Sequence, residues 1–490
     1  MSRAGRITRR ALMVGAAALA GGVAFGTWAV RRPDANPLKD GLAEGEATFN
    51  PWVIVGPERI TLITPHADLG QGATSMQALL IAEEMDLGMD GFETAFGPPS
   101  PAYWNRALSD ESAPFRSTDR SLMAETVRDV MSGAIKMLGV QVTGGSSSVP
   151  DSWEKLRVAG AVARETLKEA AAKEAGVARA DLSTEAGAVI LPGGERRPYT
   201  ALAARAAVME PVTDVALKAP SEWRLIGTPM QRLDIVAKST GTQEYGIDVT
   251  LPGMVHAAVR LSPTRAGLAS YDASAAEAMP GVTHVLEIGG GLAVVANNSW
   301  TAMKAAHAVT CEWEAAPYPA EQEGHWAALS EAFTEDLLDK EWRHDGDVEA
   351  APDGAETIEA EYRAPYVAHQ PLEPLNATAL MEDGTLKIWA AHQMPRFLQD
   401  VAAEAADVSA EDVIFHNVAA GGSFGHRLEF ENIRAVAEIA AQVPGTPVKL
   451  TFSREEDFAL DFPRQIAMAR ARGAIRDGRI DVLDVQIAAP

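Results

Sequence analysis

Residues 413–427 read V-I-F-H-N-V-A-A-G-G-S-F-G-H-R: an alternating run ending in a glycine turn. The alternation from Val413 to Val418 predicts a strand. After Gly421, Gly422 and Gly425, which bracket Ser423 and Phe424, the spacing of Phe430, Ile433, Val436 and Ile439 predicts a helix. Pro444 and Gly445 stop that helix, and Val448 to Phe452 read as the next strand. A glycine turn between strand and helix leaves backbone N–H groups pointing into open space, where the positive end of the helix favours an anion. A tight turn with no ligand is the competing reading. The G-x-G-x-x-G dinucleotide spacing is absent, and no Lys-Ser/Thr follows as in a P-loop.

Composition narrows the field. The 490 residues suffice for two to four domains, and 47% hydrophobic content is ordinary for globular protein. Net charge is −24. Six arginines and no acids fall in the first 32 residues, so all 67 acidic residues lie in the remainder and argue against nucleic acid as a partner. Cys311 is the sole cysteine, which excludes a disulfide framework, a cysteine zinc site and an iron–sulfur cluster built within this chain. Its setting, V-T-C-E-W-E, predicts a strand with the thiol buried.

Thr8-Arg9-Arg10-Ala11-Leu12-Met13, followed by an uncharged run to Val30, resembles a twin-arginine export signal and implies a periplasmic address. Twenty helical residues cover about 30 Å, so the run could also span a bilayer. Ala18-Leu19-Ala20 offers cleavage, whereas Arg31 and Arg32 suit an uncleaved anchor.

Two more loops repeat the strand–glycine–helix theme. A hairpin over Trp52 to Val55 and Arg59 to Thr64, turned at Gly56-Pro57, runs into D-L-G-Q-G-A-T (68–74) and a helix carrying Met76, Leu79 and Leu80. An amphipathic helix is expected through Leu122, Val127, Val130 and Ile135. Then V-Q-V-T-G-G-S-S-S-V (140–149) opens an alanine-rich helix from about Trp153 to Lys173. On its own this Gly/Ser run could be a flexible linker. Hydrogen bonds to charged oxygens contribute roughly 1.5–3 kcal/mol each, so three such loops together fit one extended, polar, anionic ligand.

Residues 241–314 alternate short strands, Pro-Gly turns and a short helix, predicting a compact α+β domain; 317–357 reads as a connecting excursion. In E-A-E-Y-R-A-P-Y-V-A-H-Q-P-L-E-P-L-N (359–376), Pro371 and Pro374 rule out a helix offering His369 and Glu373 as metal ligands. A local hydrogen-bonded pair or a cofactor-site wall is expected there, and no protein ligand to a metal is assigned.

Taken together these segments bring a resemblance. G-I-D-V-T-L-P-G-M-V-H-A-A-V resembles the a/b hammerhead domain of the xanthine dehydrogenase and aldehyde oxidase molybdenum hydroxylases. D-L-G-Q-G-A-T-S, T-G-G-S-S-S-V, P-Y-V-A-H-Q-P-L-E-P-L-N and A-G-G-S-F-G-H-R resemble the family's molybdopterin-binding segments. Their order, behind a twin-arginine signal, is similar to the family branch of the isoquinoline 1-oxidoreductase beta chain. The resemblance implies an α+β fold in which molybdopterin-binding segments (45–225 and 340–490) flank a hammerhead domain (226–320), behind a signal or anchor over residues 1–32.

The resemblance also implies roles. Gly70 and Gln71 would meet the phosphate end of a molybdopterin dinucleotide, with Gly72 shaping the turn. Thr143, Gly144, Gly145, Ser146 and Ser147 would hydrogen-bond the dinucleotide or pterin. Gly421, Gly422, Ser423, Phe424 and Gly425 would run beneath the molybdenum, with Phe424 shaping the pocket. Leu372 and Glu373 match the segment near the active site, while Val367 stands where many xanthine dehydrogenases have glutamine. The implied reaction is oxidation of an aldehyde or N-heterocycle with water as oxygen source. Electrons would pass to [2Fe–2S] clusters on a small partner subunit and onward to a cytochrome-type acceptor. The family's base glutamate lies in a G-x-G-E-type segment near the far end of the large subunit. Gly45-Glu46 sits instead in the N-terminal linker, so no catalytic residue is assigned. The final molybdopterin-binding half is therefore expected to be incomplete. Either another chain supplies the base, or the chain is an inactive truncated product or remnant.

Overall fold

The computed structural model describes residues 34–116, 118–350 and 353–490; the twin-arginine segment lies outside them. Among the described residues, no helix is long and apolar enough to cross a membrane. The chain is α+β, and its contacts divide it into two units interleaved along the sequence.

The first unit takes the chain up to Met254, with 376–422 and 443–447. Its four-stranded sheet runs Ala47–Asn50, Val53–Val55, Ile60–Ile63, Glu93–Ala95, with the first three antiparallel and the last parallel to its neighbour. The expected hairpin forms because Val53, Val55, Ile60 and Leu62 alternate inward, and the Gly56 N–H closes the turn on the Arg59 carbonyl at 2.8 Å. Two helices cover the sheet, Ala73–Glu84 and the 28-residue Ser148–Ala175. Alanine, the best helix former, fills much of the long helix, and Gly176 ends it with φ +69°. Leu80, Ile81, Leu156 and Leu167 pack between them and the sheet.

Adjacent acids at the end of the shorter helix are buried with their partners. Glu84 accepts from Arg157 Nε at 2.9 Å, and Glu83 takes the N–H groups of Arg224 (3.0 Å), Leu225 (2.7 Å) and Ile226 (2.9 Å). Burial alone would raise the Glu83 carboxyl, but those backbone donors hold it below its ordinary range. In the same unit the hairpin Asn376–Glu382/Thr385–Ala390 continues through helix Pro395–Ala406 into Val413–Asn417, which pairs parallel with Thr385–Ala390.

The second unit comprises 255–375, 423–442 and 448–490. Val255–Leu261, Gly291–Ala296 and Val282–Ile288 form antiparallel neighbours, covered by helix Ser299–Ala308 over Leu292, Val294, Ala302 and Ala305. This is the expected short-strand α+β substructure, but it is not closed on itself: Val448–Thr451, distant in sequence, pairs parallel with Val255–Leu261. Helix Glu431–Gln442 buries Ile433, Val436 and Ile439, the face expected from the spacing. A three-stranded antiparallel sheet orders Glu356–Ala364, Ala467–Arg476, Arg479–Ala488.

Three expectations are corrected. Helix Leu122–Leu138 forms, but Leu122 (86% exposed) and Val130 (69%) face outward while Ala124 and Arg128 are buried. Arg128 donates to the carbonyls of Asp119 and Arg116 and pairs with Glu125 at 3.1 Å, so a buried, partnered cation sets that helix's inner face. Within the expected excursion, Gln322–Glu331 is a helix, and Leu329 and Trp326 pack on Ile466, Met468 and Ala488. Cys311 lies in strand Thr310–Trp313 as expected but is only half-buried, because that strand forms a two-stranded sheet with Leu268–Asp272.

Candidate functional site

In the first unit the Gly-Gln-Gly and Thr-Gly-Gly-Ser loops meet. Thr143 is the joint: its Oγ1 accepts the Ala67 N–H at 2.9 Å, and its own N–H donates to the Gln393 carbonyl at 2.9 Å. Gln393 Nε2 returns a bond to the Thr143 carbonyl at 2.5 Å. His66 backs the joint, with Nδ1 3.3 Å from Thr143 Oγ1 and Nε2 3.0 Å from Asp151. Asp151 also binds Lys155 at 2.8 Å and the Arg106 N–H at 2.7 Å. Burial would raise the Asp151 carboxyl, but Lys155 and His66 hold it down, so it stays an anion that fixes the ring.

The five residues expected in the second loop therefore divide by role. Thr143 and Ser147 are buried anchors; Ser147 Oγ receives Asn105 Nδ2 at 2.7 Å and donates to the Gly144 carbonyl at 2.5 Å. Gly144, Gly145 and Ser146 form the tip. Among the described residues, the N–H groups of these three donate no hydrogen bond within the protein. They stand at the start of the long helix, whose N-cap Ser147 makes no side-chain cap, so dipole and donors point the same way. A Cβ on Gly144 would meet nothing within 4 Å. The tip faces open space.

The first loop is more self-contained. Gln71 closes its own turn, with Oε1 accepting the Leu69 N–H at 2.6 Å and Nε2 donating to the Ala67 carbonyl at 2.9 Å. Asp68 accepts from the Gly70 (2.9 Å) and Thr74 (3.1 Å) N–H groups, so part of this helix start is filled by the chain's own carboxylate. Gly72, at φ +87°, is the helix N-cap. Over it lies Arg232, which donates to the Gly70 carbonyl at 2.8 Å and pairs with Asp234 at 2.6 Å. Arg232 thus ties this loop to a segment some 160 residues away in the chain. No local signal marks Arg232, since its partner loop is so distant.

The third loop divides between the units: Gly421 and Gly422 belong to the first, and Ser423, Phe424 and Gly425 to the second. In the second, Ser423 Oγ is buried and accepts the Arg427 (3.0 Å) and Gly425 (3.3 Å) N–H groups. That locks Phe424 at φ +60°, a left-handed conformation costing an aromatic residue about 1–3 kcal/mol, with its ring 76% exposed. Gly425, at φ +118°, lies against His369: a Cβ there would sit 2.8 Å from Nε2.

The expected local pair of His369 and Glu373 does not form. Glu373 instead binds the buried Arg427 at 2.6 Å, tying 371–375 to the glycine turn. His369 turns to Asp461, with Nδ1 2.6 Å from Oδ1 and its N–H 2.6 Å from Oδ2. The intervening Pro371 holds the segment out of a helix, so the two side chains part. His426 is buried beside them, its Nε2 3.0 Å from Asp457 Oδ1. Burial would lower that imidazole, but the Asp457 hydrogen bond and the charges of Glu429 and Asp457 raise it to about 9. Asp457 and Asp461 escaped the sequence reading, although S-R-E-E-D-F-A-L-D after a strand is an unusually acidic run to bury.

Comparison with known proteins bears on these loops. Residues 330–489 match the molybdopterin cofactor-binding domain model. The chain is 29% identical over 99% of its length to the membrane-bound aldehyde dehydrogenase (pyrroloquinoline-quinone) of Gluconacetobacter polyoxogenes, covering 60% of that protein. It is 28% identical, again over 99%, to the beta chain of isoquinoline 1-oxidoreductase from Brevundimonas diminuta, covering 64% of it. With a nicotinate dehydrogenase subunit of Pseudomonas putida it shares 26% identity over 87% of the chain and 34% of that protein. The chain thus spans less than two thirds of the length of each of these relatives. The matched domain and these near full-chain similarities support a molybdopterin-binding subunit similar to those of the xanthine dehydrogenase family.

Proposed function

We propose that this chain is the cofactor-holding part of the large subunit of an exported molybdenum hydroxylase. In this reading the enzyme oxidises an aldehyde or N-heterocycle with water as oxygen source, and the cofactor is a molybdopterin dinucleotide. The observation that carries the reading is the Gly144–Ser146 tip, whose N–H donors face open space at the start of a 28-residue helix and are braced through Thr143 to the Gly-Gln-Gly loop. These residues fit an anionic ligand, since the tip has room for it and its N–H donors are unspent within the protein.

The molybdenum cofactor, when bound, supplies the redox and oxygen-transfer chemistry. This chain's residues bind and orient it. Gly144, Gly145 and Ser146 would offer their backbone N–H groups to it, beside the loop that Arg232 ties to Asp234. One cysteine cannot hold an iron–sulfur cluster within these residues; in this reading electrons pass to a small iron–sulfur subunit and then to a cytochrome-type acceptor. In this reading the arginine pair at Arg9-Arg10 directs export to the periplasm.

The test is to co-express the chain with its genomic neighbours and assay aldehydes and N-heterocycles with an artificial electron acceptor. Molybdenum-dependent turnover supports the proposal. A folded complex that takes up neither molybdenum nor nucleotide would favour a cofactor-free remnant.

A further inference from the structure

His369, His426, Glu429 and Asp461 bring one ligand-type atom each to within 4.8 Å of one another in the second unit. They come from three separate stretches of sequence, so no local spacing marks them. His426 Nδ1 lies 3.2 Å from Glu429 Oε1 and 3.3 Å from Asp461 Oδ1, and His369 Nδ1 lies 3.8 Å from Glu429 Oε1. A tetrahedral ion with bonds of about 2.0–2.1 Å would hold its ligand atoms about 3.3 Å apart; the two His426 pairs match this, and the His369 Nδ1–Asp461 Oδ1 hydrogen bond of 2.6 Å would open to admit the ion.

The telling atom is His426 Nδ1. The residue is 1% exposed, yet Nδ1 makes no hydrogen bond of acceptable geometry despite its two carboxylate neighbours. Its other nitrogen, Nε2, is 3.0 Å from Asp457, which in turn is fixed by the Leu375 N–H (3.0 Å) and Arg454 (2.7 Å). A carboxylate behind one ring nitrogen, with the other aimed at a carboxylate pair, is the outer-sphere arrangement of metal-bound histidine. The carboxylates are held too: Asp461 Oδ2 takes the His369 N–H at 2.6 Å and Glu429 Oε1 the Phe462 N–H at 3.0 Å. The His369 side chain is 22% exposed and gives a path from solvent.

We propose that His369, His426, Glu429 and Asp461 form a binding site for a divalent first-row transition ion of the zinc class. Two imidazole nitrogens and two carboxylate oxygens suit such an ion better than calcium or magnesium, which take oxygen ligands. The ion pins the segment around His369 to the Ser423–Arg427 turn, and Asp457 is a positioning residue that acts through His426.

Zinc chloride titration of the chelator-treated full chain, against a competing chelator, tests this. The wild type should bind one equivalent. His426→Gln and Asp461→Asn should lose it, while Asp457→Asn, which keeps all four ligands, should bind about 10–100-fold more weakly. Circular dichroism in chelator reports whether each variant is folded. Wild type that binds no more zinc than the His426→Gln/Asp461→Asn double variant would overturn the proposal, leaving a network held by protons alone. Should the variants not fold, zinc K-edge absorption of the wild type decides: a shell of imidazole nitrogen and carboxylate oxygen supports the site, and a shell without imidazole overturns it. Molybdenum measured in the same samples keeps this outcome separate from that of the proposed function.

Discussion

Arg427→Met is the most informative single change in the second unit. The guanidinium is fully buried (0% exposed) and 2.6 Å from a Glu373 carboxylate that is itself 6% exposed. It also donates to the Glu373 carbonyl at 3.2 Å, so it holds 371–375 against the turn beginning at Ser423. Methionine fills much of the same volume, and the principal loss is the counter-charge to a buried carboxylate, about 3–5 kcal/mol. With a urea slope of about 2 kcal/mol/M, the unfolding midpoint should fall by about 1.5–2.5 M. The double variant Arg427→Met/Glu373→Gln removes both charges and should recover most of that loss. Equilibrium urea unfolding of the full chain at pH 7 measures both. A shift below about 0.5 M for the single variant, or no recovery in the double, would refute the assignment of this pair as the tie between segments.

Three further outcomes are expected. Gly144→Val should leave the unfolding free energy within about 0.5 kcal/mol of wild type, because the added side chain enters open space, yet abolish molybdenum uptake; unchanged uptake would remove the tip from the cofactor site. Gly425→Ala combines a φ of +118° with a Cβ 2.8 Å from His369 Nε2 and should cost about 1–3 kcal/mol in the same urea assay. Glu83→Gln should cost about 1.5–3 kcal/mol at neutral pH. Because the folded-state pKa of Glu83 is lowered, its contribution is complete above the ordinary carboxylate range and is lost as pH falls through the folded value. The variant's stability should therefore change less with pH on the acid side, as pH-dependent denaturation would read.

Local pattern carried much of the fold. The hairpin before Gly70, the helix after Gly425 and the long alanine-rich helix all follow from spacing and stop signals within ten to thirty residues. The face of Leu122–Leu138 was misread because periodicity shows which residues are apolar, not which face finds a partner; Arg128 found one in backbone carbonyls. The glycine loops were visible as loops. What each residue does in them was not, because Thr143 and Ser147 became anchors only through Ala67, Asn105 and Gln393. Arg232, Asp457 and Asp461 meet their partners only in the folded chain. The prolines near His369 ruled out a helix there, as observed, and said nothing about His426, Glu429 and Asp461 gathering beside His369.

The central claim is that the Gly144–Ser146 tip and its braced neighbour grip a molybdopterin dinucleotide. The most direct measurement is molybdenum and acid-released nucleotide content of the purified chain, co-expressed with its genomic neighbours, for wild type and Gly144→Val side by side. The account predicts one molybdenum and one cytosine or guanine nucleotide per wild-type chain and neither in the variant. Equal content in the two proteins, or a nucleotide-free, molybdenum-free wild type that is fully folded, would contradict it.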